Sequence, residues 1–151
     1  MPTVSFERHL DVSASPDQTW STVTDVHKVA SWVSVVGSVE EIERLSRYTA
    51  LLADRLGPFS LSADLDVQVT DVDEGKFISF RAEGEDRQVS SRIQIAASMT
   101  LEPSDTGTSV AVSGTYEVGG RVAALGASTI RSKAAKILDE FFGAAERELG
   151  G

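Results

Sequence analysis

Alternation of apolar and polar residues runs through most of the chain and predicts β-strands. The clearest stretch covers residues 59–70, where apolar side chains at odd positions alternate with polar side chains at even positions. Such a period of two is typical of a strand with one buried face. Weaker alternation or apolar runs predict six more strands, at 4–12, 39–45, 48–56, 76–86, 93–101 and 110–118. The pattern therefore indicates a sheet of about seven strands.

The last third of the chain has a different period. From Gly119 to about Glu148, apolar residues recur every three or four positions. This spacing predicts one amphipathic helix of about 28 residues, about 42 Å long. Two short helices are predicted between the first and second strands, one capped by Ser15 with Pro16 in its first turn and one over 26–32.

The order of these elements is one strand, two short helices, six strands and a long helix. Strands joined by hairpins and followed by a helix indicate an antiparallel α+β fold. The length of 151 residues suits one domain, which we expect to span 1–151. We expect the sheet to curve around the long helix and to enclose a cavity.

Composition narrows the chemistry that such a cavity can support. The chain has no cysteine and two histidines, which excludes disulfides, thiolate metal sites and multi-histidine metal sites. Its net charge of −9 argues against a nucleic-acid partner. No apolar run approaches the roughly 20 residues that cross a bilayer. We therefore expect a cytoplasmic protein without a cofactor or a metal.

Two charged residues interrupt the apolar faces of predicted strands. Arg8 occupies an inward position in the first strand, and Asp54 occupies one in the third. A buried charge without a partner is costly, so each must pair, lose its charge or reach water. Two interpretations stay open: these side chains line a water-filled cavity and orient the polar end of a ligand, or a strand edge or bulge delivers them to solvent.

The predicted cavity combines apolar walls with a few polar groups, as ligand pockets do. Tyr48 and Tyr116 each carry a hydroxyl on an inward face, and buried hydroxyls require partners. The sequence contains no nucleophile elbow, phosphate loop or dinucleotide fingerprint, so no catalytic residue is predicted. The residues predicted to line the cavity are Trp32, Val36, Tyr48, Leu52, Asp54, Phe59, Leu61, Phe80, Ile95, Tyr116, Ile130, Ala134 and Leu138, with Arg8 and Asp54 as its polar groups.

The element order resembles the helix-grip fold of the START and birch-pollen-allergen superfamily, also called SRPBCC. Residues 12–20, with Asp25 five positions later, resemble the first strand-to-helix turn of that superfamily. Three further segments resemble CoxG, a family of carbon monoxide dehydrogenase subunits. They are Tyr48 followed by the Leu-Gly-Pro of 56–58, the Gly-Thr of 107–108, and the segment 118–126 with the two phenylalanines of 141–142.

The chain departs from that family at two points. Residues 32–37 keep only the glycine of a Cys-x-Pro-Gly-like sequence. Several family members also continue through a linker to a membrane-associating tail, which does not follow the helix here. We therefore expect contact with the inner face of a membrane at most, without an anchor.

The family resemblance implies a role beside molybdenum-containing hydroxylases of the carbon monoxide dehydrogenase type. We expect a non-enzymatic accessory protein whose apolar cavity binds a quinone-like or lipid-like molecule. Two alternatives stay open. One is a polyketide cyclase-like or hydratase-like enzyme that uses Asp54 or Arg8, which would need at least two converging ionisable groups. The other is a protein-docking module with a filled core and no ligand.

Overall fold

The computed structural model describes residues 3–56, 59–86 and 91–150. These residues form one seven-stranded antiparallel sheet in the order β1-β7-β6-β5-β4-β3-β2. Two short helices connect β1 to β2, and a long helix follows β7. The predicted α+β helix-grip fold is therefore confirmed. The elements are β1 (Thr3–Val12), α1 (Pro16–Val23), α2 (Val26–Ala30), β2 (Val36–Glu43), β3 (Arg47–Leu56), β4 (Phe59–Asp73), β5 (Phe77–Asp86), β6 (Ser91–Ser104), β7 (Gly107–Gly120) and α3 (Ala127–Leu149).

Both short helices begin at side-chain caps. The Ser15 hydroxyl accepts a hydrogen bond from the Gln18 N–H at 3.2 Å, and Pro16 is the first residue of α1. The Asp25 carboxylate accepts from the Lys28 N–H at 3.3 Å at the start of α2. Each cap satisfies an amide that the helix itself leaves unpaired. The second helix ends at Ala30, two residues before the predicted end.

Strand register places the apolar residues on one face of the sheet. A row of residues paired across neighbouring strands lies on this face: Val4, Tyr116, Ile95, Ala82, Val67 and Tyr48. The α3 helix packs against the same face, because Ile130 belongs to one cluster with Leu61 and Val118. The opposite face carries the polar partners of the alternation, which are exposed. We call the apolar side the concave face.

The prediction of one helix from Gly119 to Glu148 is wrong in its first part. Strand β7 continues to Gly120, residues Arg121–Leu125 form a 3₁₀ helix, and α3 begins only after Gly126. Gly120 and Gly126 have φ of 82° and 92°, which lie in a region that favours glycine and cannot occur inside an α-helix. Val122 is fully buried and its N–H donates to the Ser91 hydroxyl, so this connector is anchored to β6.

The buried apolar side chains of the described residues form three clusters, and Leu10 packs against the first and the third. Trp20 and Leu149 belong to the first cluster, at the carboxyl end of α3, together with Val12 of β1. The second cluster surrounds Ile130 near the start of α3. The third contains Trp32 and Ala145. The carboxyl end of α3 is also fixed by backbone hydrogen bonds, from Ser13 N–H to the Gly150 carbonyl at 2.6 Å and from Ala14 N–H to the Leu149 carbonyl at 3.0 Å.

A candidate ligand-binding cleft

Between the two ends of α3, the apolar surfaces of sheet and helix stay accessible. Ile130 and Leu149 near the two ends of the helix are 5% and 3% exposed. On the concave face, Phe80, Ile95 and Tyr116 are only half-buried, and so are Ala134 and Leu138 of α3. Well-packed interiors leave few apolar side chains accessible in this way. These five residues define what we call the cleft.

Small residues on the concave face let the Phe6 ring pack against β7. Ala97 and Gly114 lie directly opposite each other in β6 and β7, on the concave face. A Cβ atom at Gly114 would clash with the Ala96 carbonyl oxygen of β6 and come within 2.9 Å of the Phe6 ring, so glycine lets both lie close to the strand. The ring of Phe6 in turn lies 6.3 Å from that of Tyr116, centroid to centroid. Phe6 is thus a wall residue that the sequence did not single out.

The residues predicted to line the cavity fall into two groups. Four are buried: Trp32, Tyr48, Leu61 and Ile130. Eight are half-buried: Val36, Leu52, Asp54, Phe80, Ile95, Tyr116, Ala134 and Leu138. The side chain of Phe59 lies outside the described part of the structure, as do Gly57 and Pro58 of the predicted bend. Trp32 packs edge-on against Phe141 in a separate cluster, with centroids 5.4 Å apart, so it contacts the other end of the helix.

The two inward tyrosines differ in what their hydroxyls do. The Tyr48 hydroxyl accepts a hydrogen bond from the Leu45 N–H at 2.7 Å. Leu45 lies in the turn between β2 and β3 with φ of 57°, an unfavourable backbone conformation for leucine. Tyr48 therefore stabilises a hairpin, and the sequence could not reveal this because the turn geometry sets it.

The Tyr116 hydroxyl oxygen is buried and has no hydrogen-bond partner among the described residues. Its ring packs beside the cluster of Leu61, Val122 and Ile130. Burial raises the pKa of Tyr116 above its usual value, and the nearby Arg131 guanidinium opposes this shift with a smaller effect. The hydroxyl is therefore protonated at neutral pH and can donate a hydrogen bond.

Asp54 pairs with α3 across one border of the cleft. Its carboxylate lies 3.0 Å from the Lys133 ammonium, and the two side chains are 17% and 31% exposed. A carboxylate oxygen also accepts from the Arg55 N–H at 2.7 Å. The ion pair reaches from the third strand to the helix, so the charge that interrupts the apolar pattern meets an opposite charge there.

Arg8 makes the corresponding contact at the other border. Its guanidinium donates to the Asp139 carboxylate at 2.7 Å, and these side chains are 36% and 67% exposed. On a helical wheel, the apolar stripe of α3 lies between Lys133 and Asp139. The two ion pairs therefore connect α3 to the sheet on both sides of the stripe, and the apolar cleft lies between them.

A separate, polar cleft of about 310 Å³ lies between α3 and the segment after α2. Of the residues that line this polar cleft, only Trp32 also belongs to the residues predicted to line the apolar cavity. Glu140 on its wall accepts a hydrogen bond from the Ser34 N–H at 2.6 Å. The lining residues are Ser31, Trp32, Ser34, Glu140, Ala144, Arg147 and Glu148. Charged and hydroxyl groups dominate this wall, so it does not match the apolar cavity that the sequence predicts.

Two further features bear on possible chemistry. Across residues 3–56, 59–86 and 91–150, no three His, Asp or Glu side chains come together as metal ligands. In the same residues, no helix has the length and hydropathy that a membrane span requires.

Solved structures of other proteins share this architecture. A conserved protein from Geobacillus kaustophilus superimposes with a TM-score of 0.84 at 21% identity, covering 97% of this chain and 95% of the other. A protein from Thermus thermophilus superimposes with a TM-score of 0.70 at 16% identity, covering 98% of this chain and 97% of the other. Ara h 8.0201 gives 0.66 at 14% identity, with 99% and 100% coverage. No curated protein matches the sequence.

The sheet, the two short helices and the long terminal helix place the chain among helix-grip proteins, the class to which the birch-pollen-allergen-like folds belong. Within that class the sequence is more specific. The model of the CoxG family of carbon monoxide dehydrogenase subunits matches residues 9–150, and the chain belongs to this family. The sequence-based recognition of the family and of the fold is confirmed.

Proposed function

We propose that the protein binds a hydrophobic small molecule, quinone-like or lipid-like, in the cleft between the concave face and α3. The observation that carries this proposal is the partial exposure of apolar side chains that face the interior, Phe80 and Ile95 on the concave face and Leu138 on α3. Burial of apolar surface stabilises a ligand by about 25 cal/mol per Å² before the costs of association. A packed docking module would have no such accessible interior.

The arrangement of charges supports a binding protein over an enzyme. A catalytic cavity needs at least two ionisable groups that converge on the reacting atoms. Asp54 and Arg8, the two candidates for such chemistry, each contact an oppositely charged residue of α3 instead of each other. Their positions at the borders of the cleft suit fixation of the helix above an apolar ligand.

Membership in the CoxG family supports a partner for this activity. We propose that the bound molecule serves a molybdenum-containing enzyme of the carbon monoxide dehydrogenase type, as a redox partner or as a lipid contact at the inner face of the membrane. Purification of the affinity-tagged protein tests this part. Co-elution of a dehydrogenase with molybdenum and carbon monoxide-dependent dye reduction supports it, and absence of both from the eluate of a strain that expresses the enzyme contradicts it.

Filling the cleft tests ligand binding directly. Ala134 faces the sheet and is half-buried, whereas Ser132 is exposed on another side of α3. We expect Ala134→Phe to abolish the fluorescence increase of N-phenyl-1-naphthylamine, a neutral apolar probe, while the far-UV circular dichroism of the folded protein is retained. Ser132→Phe adds the same ring outside the cleft and serves as the matched control. Equal probe binding by wild type, Ala134→Phe and Ser132→Phe would contradict the proposed site.

A further inference from the structure

The Tyr116 hydroxyl is a polar group of the cleft whose hydrogen-bonding capacity no described residue uses. An unpaired buried hydroxyl is unfavourable, because folding removes its water without supplying a partner. Other polar groups nearby are satisfied: Asp54 contacts Lys133, and the Tyr48 hydroxyl contacts the Leu45 amide. Among the described residues, Tyr116 thus offers a polar group on the concave face that is available to a ligand.

The position of Tyr116 makes it suitable as a recognition group. It lies between Val4 and Ile95 in register, and it packs beside Ile130. Its ring keeps a partly accessible surface while its oxygen is shielded.

Arg131 is the exposed neighbour that the structure offers. It lies two turns before Leu138, so the two residues lie on the same side of α3. The residue makes no ion pair with any residue in the described ranges. Its positive charge partly opposes the burial that raises the pKa of Tyr116, the larger effect.

We infer that the Tyr116 hydroxyl selects the ligand by donating a hydrogen bond to a carbonyl-type oxygen at the end of an otherwise apolar molecule. This inference rests on the proposed function and specifies its ligand. Tyr116 donates as a neutral phenol, and the carbonyl-type oxygens that accept from such a donor include those of a ketone, a quinone and a carboxylate. Arg131 adds attraction only for the carboxylate, since a guanidinium interacts strongly with anions and weakly with neutral carbonyls.

Three chain-matched probes separate these possibilities. They are 2-tridecanone with a neutral carbonyl, dodecanoate with a carboxylate, and tridecane with no oxygen, each measured by displacement of N-phenyl-1-naphthylamine from the full-length protein. Wild type should bind 2-tridecanone more tightly than tridecane. Tyr116→Phe should weaken the binding of 2-tridecanone by about five- to tenfold, which corresponds to the loss of one neutral hydrogen bond, and leave the affinity for tridecane unchanged.

Arg131→Gln distinguishes a ligand with a neutral carbonyl oxygen from a ligand with a carboxylate. This substitution should weaken the binding of dodecanoate by about two- to fivefold, as expected for the loss of an exposed charge, and leave the affinity for 2-tridecanone unchanged. Equal affinity of wild type for 2-tridecanone and tridecane would overturn the inference while leaving an apolar binding site in place. Binding of none of the probes, including the naphthylamine, would overturn the proposed function and the inference with it.

Discussion

Tyr48 and Tyr116 both face the interior and permit a matched pair of substitutions. Tyr48→Phe removes a hydroxyl that accepts from the Leu45 N–H at 2.7 Å. Tyr116→Phe removes a buried hydroxyl that no described residue bonds. Both substitutions delete one oxygen and keep the ring. The difference in unfolding free energy between the two variants therefore isolates the contribution of the hydrogen bond that only Tyr48 makes.

The expected magnitudes follow from the two environments. Tyr48 is 7% exposed, and loss of its oxygen leaves the Leu45 amide without its acceptor in a turn with an unfavourable φ of 57°. A buried donor that loses its partner costs about 1–3 kcal/mol, so we expect Tyr48→Phe to destabilise the protein by about 1.5 kcal/mol. Tyr116→Phe removes an unsatisfied group, so we expect no loss of stability or a gain of up to about 1 kcal/mol.

Urea unfolding followed by tryptophan fluorescence measures both values, with equal m-values as the check that the unfolded states match. Thermal unfolding gives a second readout, because about 1 kcal/mol shifts the Tm of a domain of this size by about 2–4 °C. A loss of more than about 1 kcal/mol in Tyr116→Phe would refute the reasoning, since it would show that the hydroxyl has a partner in the ligand-free protein.

Three further outcomes are expected. In a double-mutant cycle, Asp54→Ala and Lys133→Ala should show a coupling free energy of unfolding of about 1 kcal/mol, because their ion pair is partly buried. Additive effects of the two substitutions would contradict that contact. Gly126→Ala should destabilise the protein by about 1 kcal/mol, because the φ of Gly126 is 92°. Gly143→Ala, inside α3, should instead stabilise the protein by about 0.5–1 kcal/mol. Equal shifts of the urea midpoint in the two variants would argue against the break before α3. Burial raises the pKa of Tyr116 in the folded protein above its usual value of 10.0, so the unfolded chain loses the phenol proton first and stability falls as pH rises from 10 through the folded pKa. Wild type should therefore lose stability relative to Tyr116→Phe in alkaline urea titrations, and parallel curves would contradict a buried phenol.

The strands could be predicted because one physical rule governs them. Strand β4 has one apolar and one polar face, so the period of two appears directly in its sequence. The same rule identified Asp54 and Arg8 as charges on the inner face. It could not identify Lys133 and Asp139 as their partners, because the packing of α3 across the sheet decides that contact.

The terminal helix shows where pattern reasoning fails. Apolar spacing continues through residues 121–125, so the sequence suggests an uninterrupted helix. The interruption depends on Gly126, whose positive φ ends one helix and begins another. A glycine in a helical pattern carries this information only when the backbone conformation is known. The two tyrosines present a similar case, because alternation predicts that both face inward but not which hydroxyl is paired.

Native mass spectrometry of the protein purified from the organism that produces it tests the central claim most directly. The account predicts a stoichiometric mass increment that denaturing extraction releases as an apolar molecule with a terminal carbonyl-type oxygen, and that Ala134→Phe protein lacks. Protein that carries no ligand, together with wild-type protein that binds none of the apolar probes, would contradict the account.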